Sequence, residues 1–105
     1  MNEEIRYKIL KILEQNSDIS QRELSKQLGI SLGKVNYCLR ALKEKGLVKA
    51  RNFKNSDNKK GYLYVLTPKG VDDRARTATR FLKQKISEYQ QLEQEIEHLR
   101  AEIKK

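Results

Sequence analysis

The residues with the most specific chemistry lie in one stretch, Ser31 to Gly46, SLGKVNYCLRALKEKG. Lys34, Asn36, Tyr37, Arg40 and Lys43 fall on one face at helical spacing, and all of them can touch phosphates or base edges. An asparagine amide pairs with the edge of adenine and an arginine fork with that of guanine, whereas lysine offers a phosphate a point charge. The other face carries Leu32, Val35, Leu39 and Leu42, an inward apolar stripe, with Ser31 as the cap and Gly46 as the stop. This pattern predicts a helix that reads double-stranded DNA. Ser31, Gly33, Lys34, Asn36, Tyr37 and Arg40 are its expected contacts, with Gly33 admitting a close approach of the backbone.

Other chemistries lack material. Cys38 is the only cysteine and His98 the only histidine, so neither an internal disulfide nor a structural zinc site can be assembled. There is no glycine-rich phosphate loop and no nucleophile elbow, and the chain is therefore read as a non-enzyme without cofactor or metal. Cys38 sits at the margin of the apolar stripe, where a small packed residue is expected rather than a redox switch. His98 is expected on a solvated face.

With 105 residues the chain has the length of one domain with one small core. Apolar residues make up 37% and charged residues 35%, so surface is plentiful and oligomerisation is expected. No apolar run approaches the roughly 20 residues that cross a bilayer, and the first residues lack a signal-peptide pattern, which predicts a cytoplasmic protein. The formal net charge is +9 and it is concentrated: residues 34–60 hold 9 Lys and Arg against 2 Asp and Glu. A cluster of that kind suits a polyanion, of which nucleic acid is the commonest.

The remaining elements position the reading helix. Residues 3–15 place Ile5, Ile9, Ile12 and Leu13 at helical spacing, with two glutamates in the first turn. Ser20-Gln21-Arg22-Glu23 has the form of a capping box and begins a second helix, lined by Leu24 and Leu28 and ended by Gly29. Two helices joined by so short a glycine turn form a helix-turn-helix, and Ser20, Gln21 and Arg22 are expected where the supporting helix crosses the DNA backbone. Residues 47–53 and 62–66 read as strands around the turn-forming Asn55-Ser56-Asp57-Asn58-Lys59-Lys60-Gly61. This is a basic wing, with Arg51, Lys54, Lys59 and Lys60 on phosphates and Tyr62 and Tyr64 packed inward.

Thr67-Pro68 caps and opens a last helix that runs to Lys105. Ala75, Leu82, Tyr89, Ile96 and Ile103 recur every seven residues, and Ala78, Leu92 and Leu99 fill the second core position, with Lys85 as the exception. The pattern predicts a two-stranded coiled coil and a homodimer, joined through Ala78, Leu82, Tyr89, Leu92, Ile96, Leu99 and Ile103. Cations dominate its first half and glutamates its second, which favours an antiparallel pair, although Glu95 and Arg100 occupy positions that pair between parallel helices. The expected architecture is mainly α with a small β-hairpin. Residues 1–67 would be a winged helix-turn-helix DNA-binding domain and residues 68–105 a dimerisation helix.

In this order of elements the chain resembles winged helix-turn-helix regulators of the MarR type. SQRELSKQLGISLGKVNYCLRALKEKGLVKARNF and YLYVLTPKG carry the likeness. Among them it looks most like the small regulators associated with bacterial exopolysaccharide loci, through SLGKVNYCL, RNFKNS and YLYVLTPKG. The resemblance implies transcriptional control of polysaccharide genes. It also exposes departures: the extra N-terminal helix of typical relatives does not precede residue 3, so dimerisation falls to the last helix and a small-molecule effector pocket is not expected. The usual Asp-x-Arg of the wing appears as Asp57-Asn58-Lys59, which favours phosphate contact over base readout. A protein-binding winged helix and an RNA-binding module are the competing readings, and the concentrated basic face argues against the first.

Overall fold

The computed structural model describes residues 1–54 and 60–104, without the side chains of residues 52–54 and 60–62. The element order is α1 (Glu3–Gln15), α2 (Gln21–Leu28), α3 (Leu32–Glu44), β1 (Val48–Lys54), β2 (Lys60–Leu66) and α4 (Pro68–Ile103). The fold is mainly helical with one two-stranded antiparallel sheet, a winged helix-turn-helix followed by a long helix. It divides into two compact units, Met1–Ala75 and Arg76–Lys105.

Local signals set the helix ends. Asn2 caps α1, its Oδ1 accepting from the Glu4 N–H at 2.6 Å and the Ile5 N–H at 3.3 Å. Ser20 Oγ accepts from the Glu23 N–H at 3.1 Å, the hydroxyl half of the expected capping box. Gly29 takes the left-handed conformation at φ 67°, and the Ser25 hydroxyl donates to the Ile30 carbonyl to close the turn into α3. Gly46, at φ 76°, ends α3, and the Leu47 N–H then reaches back to the Leu42 carbonyl at 3.0 Å. Both glycines hold backbone angles that a side chain would strain.

The core of the first unit gathers Ile9, Leu10, Leu13, Ile19, Leu24, Val35, Cys38, Leu39, Leu42, Leu47 and Val48, with Ile5, Ile12, Leu28, Ile30, Tyr64 and Leu66 packed around it. Leu10 is fully buried although it lies beside the narrow stripe of the sequence pattern, so α1 is covered over a wider arc. Tyr64 packs inward as expected, whereas the side chain of Tyr62 lies outside the described residues.

The strands pair in one register from Val48 with Leu66 to Lys54 with Lys60. At the base of this hairpin the chain is tied to α4. The Thr67 N–H donates to the Leu47 carbonyl at 3.1 Å, and the Thr67 hydroxyl donates to the Gly46 carbonyl at 2.6 Å while accepting from the Gly70 N–H at 3.1 Å. Ion pairs fasten α1 to the start of α4: Arg6 Nε with Asp73 Oδ1 at 3.2 Å, and Arg74 Nε with Glu14 Oε2 at 2.9 Å.

The second unit is the continuous remainder of α4. No helix among the described residues is long and apolar enough to cross a membrane.

Candidate nucleic-acid interface

Burial of one face of α3 decides what the other presents. Val35, Cys38, Leu39 and Leu42 are at most 1% exposed, and they turn Lys34, Tyr37 and Arg40 outward, with Asn36 half-buried at the edge. Ser31 Oγ accepts from the Lys34 N–H at 3.1 Å. Its hydroxyl proton is left to donate outward, and the same holds for Ser20 at α2, so each serine can cap a helix and meet an anionic oxygen at once. Lys34, Arg40 and the exposed Arg22 supply positive charge on these two helices.

Two placements differ from the sequence pattern. Leu32 was expected on the inward stripe, yet at the first turn of α3, one turn before Val35, it is 42% exposed. It joins Tyr37, which is 64% exposed, as an apolar group on the outward surface of α3. Cys38 lies fully inside the core rather than at its margin, as a free thiol packed like a small hydrophobe. At Gly33 an added Cβ would meet nothing within 4 Å, so no internal contact demands glycine there.

Side-chain bonds link the expected contact residues to partners that periodicity does not show. Asn36 Nδ2 donates to Gln21 Oε1 at 3.3 Å, joining the first residue of α2 to α3. Arg51 on β1 pairs with Asp18 in the turn before α2, Nη2 to Oδ1 at 2.8 Å, with both side chains largely exposed. Lys59, together with the Asp57-Asn58-Lys59 motif, lies outside the described residues, as do the side chains of Lys54 and Lys60. Lys49 adds an exposed cation on β1.

In the second unit Leu82, Tyr89, Leu92, Ile96, Leu99 and Ile103 are all exposed, and Ala78 is half-buried. Ile86, 48% exposed, stands next to Lys85 and continues the apolar stripe where the strict heptad places a cation. The sequence pattern passed over it because it falls one residue late. His98 is exposed. Among the described residues, no group of three or more His, Cys, Asp or Glu side chains is placed to hold a metal ion.

Residues 2–49 match the family described as winged helix-turn-helix DNA-binding. Solved structures of similar fold include a PadR-like transcriptional regulator from Bacillus cereus, at 20% identity and a TM-score of 0.76, covering 84% of this chain and 90% of that one. MarR of Staphylococcus aureus, in complex with salicylate and kanamycin, is 21% identical with a TM-score of 0.65, covering 82% of this chain and 56% of its own. FabT of Streptococcus pneumoniae, in complex with DNA, is 22% identical with a TM-score of 0.58, covering 80% of this chain and 57% of its own. This chain therefore spans little more than half the length of the latter two. No curated protein sequence matches it. At these identities the likeness establishes the fold, a winged helix shared with transcriptional regulators of the MarR and PadR groups.

Proposed function

We propose, from the premise of a winged helix-turn-helix DNA-binding domain over residues 2–49, that the protein is a sequence-specific, double-stranded DNA-binding transcriptional regulator acting as a homodimer. The observation that carries this reading is the outward surface of α3, where Lys34, Tyr37 and Arg40 stand exposed around Asn36 while the reverse face is buried. Asn36 and Arg40 read bases. Ser20, Arg22, Ser31 and Lys34 hold phosphates, Gly33 brings the backbone close, and Tyr37 offers an apolar edge to a thymine methyl. Arg51, Lys54, Lys59 and Lys60 place the wing on the backbone.

The proposed division of labour assigns residues 1–67 to DNA and residues 68–105 to dimerisation through the exposed stripe of α4. Its basic first half and acidic second half support an antiparallel pair. From Leu82 to Ile103 the helix runs roughly 32 Å at about 1.5 Å per residue, close to the ~34 Å between successive major grooves on one DNA face. Likeness to exopolysaccharide-associated regulators supports polysaccharide genes as the target.

The test is selection of bound duplexes from a random pool, followed by competition with the same sequence as RNA. A symmetric duplex motif is expected, with affinity falling steeply as salt rises through a footprint of roughly six phosphates. Asn36→Ala and Arg40→Ala should each lose about 1–3 kcal/mol of discrimination at one base pair per half-site and keep most non-specific affinity. Equal binding to RNA, or no effect of either change, would overturn the assignment.

Asp18 gives a second measurement. Its carboxylate engages Arg51 and places a negative charge where the wing meets α2. Asp18→Asn should release Arg51 and raise affinity for duplex DNA about two- to fivefold at low salt, as expected of an exposed pair. A loss of affinity in the same titration would mean that the pair serves as a strut for the wing instead.

A further inference from the structure

Among the described residues of the first unit, the large apolar side chains left exposed are Met1, Leu32, Tyr37 and Val71. A single exposed leucine is ordinary on a protein surface, but Leu32 stands in a particular row. Residues four apart share one side of a helix, so Leu32, Asn36 and Arg40 follow one another along α3. Asn36 and Arg40 are the proposed base readers. Leu32 precedes them in the first turn, directly after the Ser31 cap, and the N-terminal part of a recognition helix is the part that meets base edges in the major groove. A step of four residues is about 6 Å along the axis, a little under two base pairs at ~3.4 Å each. The row therefore sets Leu32 over base pairs next to the one that Asn36 addresses. Its side chain has no donor or acceptor. Of the groups that base pairs present in the major groove, the C5 methyl of thymine is the apolar one, and it gains from contact with such a side chain.

We infer that Leu32 is a specificity-determining residue: it selects thymine through the methyl group, at a base pair one or two steps from that of Asn36 and on the side away from that of Arg40. Tyr37 stands five residues on, about 140° around the helix, so its own apolar edge meets a different base pair. The inference rests on the proposed reading of DNA by α3, and it adds a preference at one base pair together with the residue that sets it.

The experiment uses the full chain, the duplex motif obtained by selection, and copies of that duplex in which each thymine in turn is replaced by uracil, which keeps the base pairing and removes only the methyl group. For the parent, one such replacement in one half-site, within about two base pairs of the position mapped by Asn36→Ala, should weaken binding about three- to fivefold, the effect of one methyl group withdrawn from an apolar contact. Leu32→Ala should bind the thymine duplex about as weakly as the parent binds the uracil duplex, and should lose nothing further when uracil replaces that thymine. Tyr37→Ala should keep the penalty at that position. Thermal unfolding followed by circular dichroism confirms that both variants fold, as the exposure of both side chains leads one to expect. If Leu32→Ala weakens every duplex alike with the uracil penalty unchanged, if Tyr37→Ala cancels that penalty instead, or if no thymine carries one, the methyl contact is overturned while the DNA reading stands. A parent protein with no salt-sensitive duplex binding overturns both.

Discussion

Gly70→Ala is expected to lower the melting temperature by about 5 to 25 °C, against the direction that helix propensity predicts. Gly70 lies in the first turn of α4, where replacing glycine by alanine ordinarily gains up to about 1 kcal/mol. Here an added Cβ would sit 2.0 Å from the carbonyl oxygen of Leu47 and 2.7 Å from Cδ2 of Leu66. The leucine side chain has freedom to move, but the carbonyl does not. It accepts from the Thr67 N–H at 3.1 Å, beside the Thr67 hydroxyl bond to Gly46, so the strand and the helix start are joined by backbone at the point of collision. Relief requires lifting the first turn of α4 off β1 and breaking that bond. Overpacking costs typically 1–3 kcal/mol, sometimes more, and a lost hydrogen bond adds about 1 kcal/mol. After the propensity gain is subtracted, a net loss of about 1–3 kcal/mol remains, and a domain of this size shifts by roughly 4–8 °C per kcal/mol. Gly33→Ala is the matched control, since nothing lies within 4 Å of its Cβ position, and it should melt at or slightly above the parent temperature. A Gly70→Ala protein as stable as Gly33→Ala would show that the joint yields.

That contrast illustrates what the sequence discloses. Gly70 reads only as a weak point in a helical pattern, because its reason is a carbonyl more than twenty residues away. Features governed by neighbours along the chain were legible: the limits of α1, the Ser20 and Ser31 caps, the left-handed Gly29, and the proline that opens α4. Each depends on a hydrogen bond or backbone angle within a few residues. Spacing also separated the buried Val35, Leu39 and Leu42 from the exposed Arg40, but it misplaced Leu32, since periodicity gives direction and not whether anything covers that direction. Most of the candidate interface was nameable by residue type, whereas its internal wiring was not. Asn36 meets Gln21 across 15 residues and Arg51 meets Asp18 across 33, so neither pair leaves a periodic trace. Ile86 escaped for a different reason, standing one place out of a strict heptad beside Lys85.

The largest functional effect is expected from the double substitution Leu92→Arg, Leu99→Arg. Both leucines are exposed, at 54% and 57%, on the stripe that the proposed dimer covers with a second copy. Each leucine buried from water contributes about 1.5–3 kcal/mol, and a symmetric pair loses four of them, roughly 6–12 kcal/mol before the cost of approaching cations is added. That range matches the whole association energy of a micromolar to nanomolar complex, so the variant should be a monomer by light scattering at micromolar concentration. The winged domain should keep its fold, because every residue of its core cluster lies at or before Leu66. What disappears is the linkage between half-sites. A dimer binds its second half-site at the high effective concentration set by the first, an advantage of about 10²–10⁴, and the monomer forfeits it. Affinity for a two-half-site duplex should therefore fall at least a hundredfold, while binding to a single half-site stays near that of one parent domain. The two duplexes separate loss of dimerisation from loss of DNA contact. A variant that remains dimeric, or a parent that is monomeric under the same conditions, would move the dimer interface off this stripe.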